Sequence, residues 1–187
     1  MNKILLIKFS FFLLITVSCS KETIEKPNIV LIVADDLGWS DLSYMGSTYY
    51  ETPNIDKLSK SGMIFYNGYA SAANCAPSRA TMLSGKYQNA HGIYSVVNPF
   101  LGYGSDRGSR KTRKLIPIKT RSNLDLDFFV IPEMLKDLGY VNGHFGKWHL
   151  GDIGFHPENS GFDINIGGNK HGGPGGYFSP YKYTNMD

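Results

Sequence analysis

Near the middle of the sequence stands Cys75-Ala76-Pro77-Ser78-Arg79-Ala80-Thr81-Met82-Leu83-Ser84-Gly85, which predicts a short helix from about Pro77 to Gly85. Proline suits the first turn of a helix, and glycine is favoured just past its C-terminus. Cys75 is therefore placed at a helix N-terminus, where unpaired backbone N–H groups and the helix dipole favour an anionic group. Arg79 follows one turn later and can lean over the same spot. The pattern indicates an anion site around one reactive side chain.

Cys-x-Pro-Ser-Arg followed by Leu-x-Gly resembles the signature of the type I sulfatases, which belong to the alkaline-phosphatase-like superfamily. In that family a maturation enzyme oxidises the cysteine to formylglycine, whose hydrated form is the nucleophile. The resemblance implies this modification at Cys75. A free cysteine is more often an ordinary buried thiol, but the matching Pro77, Arg79 and Gly85 favour the sulfatase interpretation.

A buried strand and a pair of carboxylates are predicted near the start of the sequence. The run 27–34 is apolar and rich in β-branched residues, as in a central parallel strand that is buried on both faces. Asp35 and Asp36 follow at its carboxyl end, where open α/β sheets place their sites. Adjacent carboxylates suit a hard cation such as Ca²⁺ or Mg²⁺, although paired aspartates also occur in solvated turns.

The same region resembles the first strand of the sulfatases, in which both aspartates bind calcium. The resemblance implies a Ca²⁺ site that contains Asp35, Asp36 and the formylglycine at Cys75. It covers only the N-terminal part of a sulfatase, because members of that family are much longer and take further metal ligands, a histidine and a lysine from segments that have no match here. We therefore expect residues 27–187 to be an incomplete N-terminal catalytic domain.

A second motif, Gly146-Lys147-Trp148-His149-Leu150-Gly151, follows a predicted strand over 140–145. In an extended chain Lys147 and His149 project to the same side, so an ammonium and an imidazole can converge on one oxyanion. The motif also resembles the sulfatases. That resemblance implies that Lys147 and Arg79 carry charge opposite the sulfate and that His149 handles a proton.

Other elements complete an α/β prediction. Helices are expected over 52–62 and 131–139, and a further strand over 63–66. The resemblance implies the N-terminal part of an alkaline-phosphatase-like sandwich, a mainly parallel sheet flanked by helices. The apolar side chains expected to face inward on the two helices are Ile55, Leu58, Met134, Leu135 and Leu138.

Three further groups of basic residues lie outside the two motifs. His91 precedes a glycine and is interpreted as a structural or supporting group. Lys170 and His171 lie in the glycine-rich stretch 167–176, and His171 is the candidate substrate contact. Residues 105–122 are strongly basic, which indicates either a solvated loop or a rim that attracts a sulfated polyanion. The basic residues of this run are Arg107, Arg110, Lys111, Arg113, Lys114, Lys119 and Arg121.

The first 20 residues resemble a bacterial export signal, with Lys3 before an apolar run. Thr16-Val17-Ser18-Cys19 also fits a loose lipobox, in which Cys19 would be lipidated and residues 21–26 would form a tether. A plain signal peptide is the alternative. We expect an exported protein, either periplasmic or an outer-membrane lipoprotein, without a disulfide because Cys75 then has no partner.

The composition of the chain argues for one globular domain and against some classes of function. The 187 residues are 42% hydrophobic and 19% charged, which suits one globular domain. The net charge of +3 and the lack of nucleic-acid motifs argue against nucleic-acid binding. The resemblance favours a sulfuric ester hydrolase that acts on sulfated polysaccharide or, second, on an aryl sulfate ester. The alternatives are an inactive, glycan-binding fragment and a phospho- or phosphonohydrolase, which is disfavoured because such enzymes use unmodified serine or threonine.

Overall fold

The computed structural model describes residues 25–98, 103–104, 119–173, 176 and 178–181. The chain divides into two compact units, residues 1–34 and 35–187. The predicted export signal, Cys19, most of the tether and most of the basic run lie outside the described residues. Within the described part of the chain, no helix has the length and apolar character needed to cross a membrane.

The described residues of the second unit include four α-helices. They are α1 (Pro53–Ser61), α2 (Cys75–Ser84), α3 (Gln88–His91) and α4 (Ile131–Asp137). A 3₁₀ turn at Ser43–Met45 precedes α1, and another at Pro157–Ser160 follows α4. Helix α2 begins two residues earlier than predicted and ends at Gly85, whose φ of 65° is the left-handed conformation that caps many helices. Cys75 is therefore the first residue of α2, as its predicted position at a helix N-terminus requires.

The four short strands in the described part of the chain form two separate pairs. Strand β1 (Val97–Asn98) pairs antiparallel with β2 (Tyr103–Gly104). Strand β3 (Gly143–Phe145) pairs in parallel with β4 (Ile164–Ile166), and His144 lies opposite Asn165. The parallel pair fits the predicted α/β class. It also sets the position of Lys147, which follows β3 after a single glycine.

The core lies between α2 and the segment that follows β3. Helix α2 contacts both α3 and α4. Trp148 is 2% exposed and packs edge-on against His144 and Phe162. Both predicted motifs therefore contribute to one hydrophobic cluster, whose buried members are Ala76, Ala80, Leu83, Ile93, Leu124, Val130, Trp148 and Leu150.

His91 is a buried part of this core. The backbone N–H of Ile93 donates to its Nδ1 at 3.1 Å, so Nε2 carries the proton and donates to Thr81 Oγ1, also at 3.1 Å. Burial lowers the pKa of His91 below its ordinary value. Its hydrogen bonds join α3 to α2, in agreement with a structural role.

The prediction of a buried strand over 27–34 is wrong for this structure. The segment is extended, but it pairs with no strand among the described residues. Val30 and Ile32 are 81% and 82% exposed. An apolar sequence becomes a buried parallel strand only where neighbouring strands and covering helices are supplied, and the described residues supply neither.

Of the two other predicted strands, one is wrong and one is confirmed in part. Residues 63–66 form no strand, and the predicted strand over 140–145 is shortened to β3. Helices α1 and α4 each leave part of their apolar face exposed, although α1 contacts the Ser43–Met45 turn and α4 contacts α2. The side chains that were expected to face inward but are exposed are Ile55, Leu58, Met134 and Leu138.

Candidate active site

Three predicted site residues form a hydrogen-bonded network. Lys147 donates through Nζ to Asp35 Oδ2 at 2.5 Å, and Arg79 donates through Nη2 to Asp35 Oδ1 at 3.3 Å. Arg79 also donates through Nη1 to the backbone carbonyl of Lys147 at 2.5 Å. Although partial burial raises it, the hydrogen bonds from Lys147 and Arg79 hold the pKa of Asp35 below its ordinary value. We call these three residues the Asp35 network.

Local structure explains why the Asp35 network forms. Arg79 is one helical turn beyond Cys75 on α2. Lys147 follows Gly146, whose backbone N–H donates to Ile166 at 2.7 Å and whose φ is 97°. That left-handed turn at the end of β3 suits glycine and redirects the chain toward α2. Arg79 and Lys147 are only 12% and 16% exposed, so their charges act in a partly desolvated environment.

His149 lies next to the Asp35 network in an unusual conformation. Its φ is 62°, and its backbone N–H donates to Asn169 at 3.0 Å. The extended geometry predicted for this motif is therefore wrong at His149, where the chain turns. Burial, together with the positive charges of Lys147 and Arg79, lowers the pKa of His149 to about 4. The ring is neutral at neutral pH and can accept a proton.

Cys75 and His149 line the same cavity. This cleft has a volume of about 400 Å³, and we call it the cysteine cleft. Cys75 is a free, partly exposed thiol at the start of α2. His171 lines the cleft as well, and so does Lys170, which donates to Asp152 Oδ2 at 2.7 Å. The structure thus gathers Cys75, His149 and His171 in one cleft, with the Asp35 network beside His149.

Two buried polar atoms at this site have no hydrogen-bond partner among the described residues. They are Nε of Arg79 and Nδ1 of His149. A buried polar atom without a partner destabilises a protein by roughly 1–3 kcal/mol, so such atoms call for an explanation. Here an arginine donor and an imidazole nitrogen, both at the Asp35 network or beside it, suit a bound group that is rich in oxygen.

Comparison with known proteins agrees with this geometry. The profile of the Sulfatase family matches residues 27–174. The chain belongs to the sulfatase family. The N-acetylgalactosamine-6-sulfatase of Canis lupus familiaris is 36% identical to it over 158 residues, which are 84% of this chain and 27% of that protein. A sulfatase of Formosa agariphila is 38% identical over 165 residues, 82% of this chain and 28% of that protein.

Solved structures of sulfatases show the same fold. The crystal structure of Ps i-CgsB in complex with k-i-k-neocarrahexaose matches this chain with a TM-score of 0.62 at 36% identity. The match covers 78% of this chain and 29% of that one. The predicted family and the alkaline-phosphatase-like α/β fold are confirmed. The chain spans little more than a quarter of the length of these relatives.

The residues described here do not complete a calcium site. No three His, Cys, Asp or Glu side chains converge anywhere in the described part of the chain, so Asp35, Asp36 and Cys75 are not brought together as a metal centre. Both oxygens of Asp35 already accept hydrogen bonds from cations. Asp36 is exposed and has a φ of 55°. Calcium prefers six to eight oxygen ligands, so its binding remains a prediction.

Several residues at the site were not predicted from the sequence. Gly172 allows close packing, because a Cβ there would lie 2.4 Å from Cε1 of His149. Asn123 and Asp152 line the cysteine cleft without belonging to either motif. Asn123, Asp152 and Gly172 lie in loops that come close to the start of α2 only in the folded chain. The one signal in the sequence was the glycine-rich composition of the stretch that contains Gly172.

Proposed function

We propose that this protein hydrolyses sulfate esters of a sulfated polysaccharide, with a formylglycine that a maturation enzyme makes from Cys75. The observation that carries the proposal is the shared cleft of Cys75 and the neutral His149, beside the Asp35 network. Formylglycine, once formed, supplies a hydrated aldehyde as the nucleophile. The net reaction consumes water and gives the sugar alcohol and inorganic sulfate.

The chain's own residues have separate roles in this proposal. The backbone N–H groups at the start of α2 favour negative charge next to position 75. Arg79 and Lys147 stabilise the charge of the sulfate, and their low exposure strengthens that effect. His149 is uncharged at neutral pH and can take up or deliver a proton through its ring. His171 is proposed to contact the substrate from the wall of the cleft.

The remaining calcium ligands and catalytic groups are proposed to come from residues that the structure does not describe. The relatives are several times longer than this chain, and the described residues do not complete a metal site. We therefore propose Asp35 and Asp36 as part of a Ca²⁺ site, but assign no step to the ion. We expect little or no turnover of a chromogenic sulfate ester by the 187-residue chain alone.

The names of related proteins support a sulfated sugar as substrate. One relative is called an N-acetylgalactosamine-6-sulfatase, and one solved sulfatase was crystallised with a carrageenan hexasaccharide. An aryl sulfate ester is the second candidate, since arylsulfatase G of Homo sapiens is 36% identical over 144 residues. Both kinds of substrate would place their sulfate on the same residues. They differ in the group that carries the sulfate, a sugar or an aryl ring, which the rest of the cleft must bind.

Export to the periplasm or outer membrane, with lipidation of Cys19, completes the proposal. It is supported by the apolar run and the lipobox-like residues near the start of the sequence. Mass spectrometry of the N-terminal peptide from bacterial membranes tests it. A diacylated Cys19 as the first residue is expected, whereas an unmodified N-terminus would contradict the tether.

The maturation of Cys75 is the most direct test of the proposed enzyme. Co-expression with a formylglycine-generating enzyme should give a lighter peptide at position 75, detected by mass spectrometry. Pro77→Ala should sharply lower the converted fraction, because the enzyme is expected to read Cys-x-Pro-x-Arg in the unfolded chain. Met82→Leu, outside that motif, is the matched control. Equal, negligible conversion in all variants would leave at most the glycan-binding alternative.

A further inference from the structure

A second cavity adjoins the cysteine cleft. It has a volume of about 650 Å³, and we call it the flanking groove. Residues 121–123 line both cavities and so form their common wall. The other side chains that matter in the flanking groove are Tyr94, Lys119, Asp125 and Phe155. None of these residues belongs to either predicted motif.

The common wall is held in place by backbone hydrogen bonds. The N–H of Arg121 donates to Gly92 at 2.9 Å, and the N–H of Leu124 donates to Leu150 at 2.8 Å. Thr120 is 6% exposed, and its hydroxyl accepts the N–H of Tyr94 at 2.8 Å. These bonds anchor the wall at both ends. A ligand would therefore meet a surface that is already formed.

Gly92 fixes the side chain of Arg121. A Cβ at position 92 would lie 3.1 Å from Cδ of Arg121, so the aliphatic stem of the arginine rests on the glycine backbone. The guanidinium then donates through Nη1 to Asp125 Oδ2 at 2.8 Å. Arg121 is 57% exposed and Asp125 is 39% exposed. An exposed ion pair contributes little to stability, so an incoming anion can compete for the arginine.

The lining of the flanking groove suits an anionic sugar. Tyr94 and Phe155 present aromatic surface, which packs against the C–H faces of sugar rings. The carbonyl of Phe155 accepts a hydrogen bond from Trp148 Nε1 at 2.7 Å, which anchors that residue to the core. Arg121 offers a planar fork that can bind two oxygens of one sulfate, and Lys119 adds a second, exposed cation.

We propose that the flanking groove is a second sugar subsite, which binds an anionic sugar next to the one whose ester enters the cysteine cleft. The substrate is then an oligosaccharide or polysaccharide with at least two anionic groups, rather than a single sugar or a small aryl ester. The assignment of the ester to the cysteine cleft rests on the proposed function. The groove itself can be tested by binding alone.

Binding by isothermal titration calorimetry tests the subsite on the full chain. The probes are a carrageenan hexasaccharide, the corresponding disaccharide and a desulfated hexasaccharide. Arg121→Ala should weaken binding of the sulfated hexasaccharide by about fivefold or more and weaken binding of the disaccharide less, since a bidentate charged contact in the flanking groove is lost. Arg121→Lys should fall between the two. Asp125→Asn should strengthen binding, because the arginine is released from its partner.

Lys136→Ala is the matched control, since its ammonium also forms an exposed ion pair, with Asp163 at 2.7 Å. Circular dichroism and thermal melting check that every variant is folded. The subsite is overturned if Arg121→Ala behaves like Lys136→Ala, if the desulfated probe binds equally well, or if the wild-type chain binds no hexasaccharide. Failure of Cys75 maturation would instead contradict the enzyme while leaving the binding result readable.

Discussion

At the scale of single residues, the site depends on groups kept in unusual states by their neighbours. His149 combines a left-handed backbone, a half-buried ring and a pKa lowered to about 4. Asp35 stays ionised between two cations. Neither state could be predicted from the sequence, because each depends on contacts between residues more than 30 positions apart or on loops whose course the sequence does not show. The identities of Asp35, Arg79, Lys147 and His149 were nevertheless predicted from their motifs.

The lowered pKa of His149 predicts a specific dependence of stability on pH. Its pKa is about 4 in the folded chain and 6.5 ordinarily, so the unfolded chain binds more protons between these values. The contribution of His149 to the free energy of unfolding is therefore complete above about pH 6.5 and is lost as the pH falls toward 4. Urea denaturation across this range should show a shallower loss for His149→Gln than for the wild type. If the free energy of unfolding fell equally with pH in both proteins, the half-buried, neutral ring would be contradicted.

Gly172 is expected to control the position of the His149 ring. Gly172→Ala would place a Cβ 2.4 Å from Cε1 of His149 and 2.8 Å from Nε2, so the ring must move. Moved toward solvent, the imidazole should regain a pKa nearer 6.5, which NMR titration would measure. Gly173→Ala is the control, because a Cβ there meets no atom within 4 Å. The packing argument fails if both variants titrate alike.

At the scale of elements, local signals predicted helices better than strands. Helices α1 and α4 lie within the predicted ranges, and α2 begins two residues before its predicted start, because proline at the start and glycine or a turn at the end are local features. Strands depend on partners distant in sequence. The run 27–34 has the composition of a buried strand but finds no neighbour among the described residues, so its prediction failed.

The C-terminal caps of α1 and α2 offer a paired test of backbone geometry. Gly85 ends α2 with a φ of 65°, whereas Gly62 ends α1 with an extended φ of −119°. Gly85→Ala should lower the free energy of unfolding by about 1 kcal/mol, because alanine resists the left-handed conformation. Gly62→Ala should change it little or raise it slightly. Chemical denaturation measures both, and equal effects would contradict the assigned caps.

At the scale of the whole molecule, family and fold class were predictable, whereas the shape of the site was not. The two motifs carry the family assignment, and both pack into one core beside a shared cleft. The cleft walls come from 121–123 and 170–172, whose residue types follow no general pattern. Their positions depend on contacts such as the bond between Leu124 and Leu150. Such contacts become visible only in the folded chain.

The long span of the Asp35 network has a consequence for the timing of biosynthesis. Lys147 lies 112 residues beyond Asp35 and 68 beyond Arg79, so a ribosome must add that length before the two cations can meet the carboxylate. Until then, the segment around Cys75 lacks the partners that fix it in the native cluster. Under the proposed function, a maturation enzyme that needs an unfolded peptide must therefore act before the Lys147 turn docks.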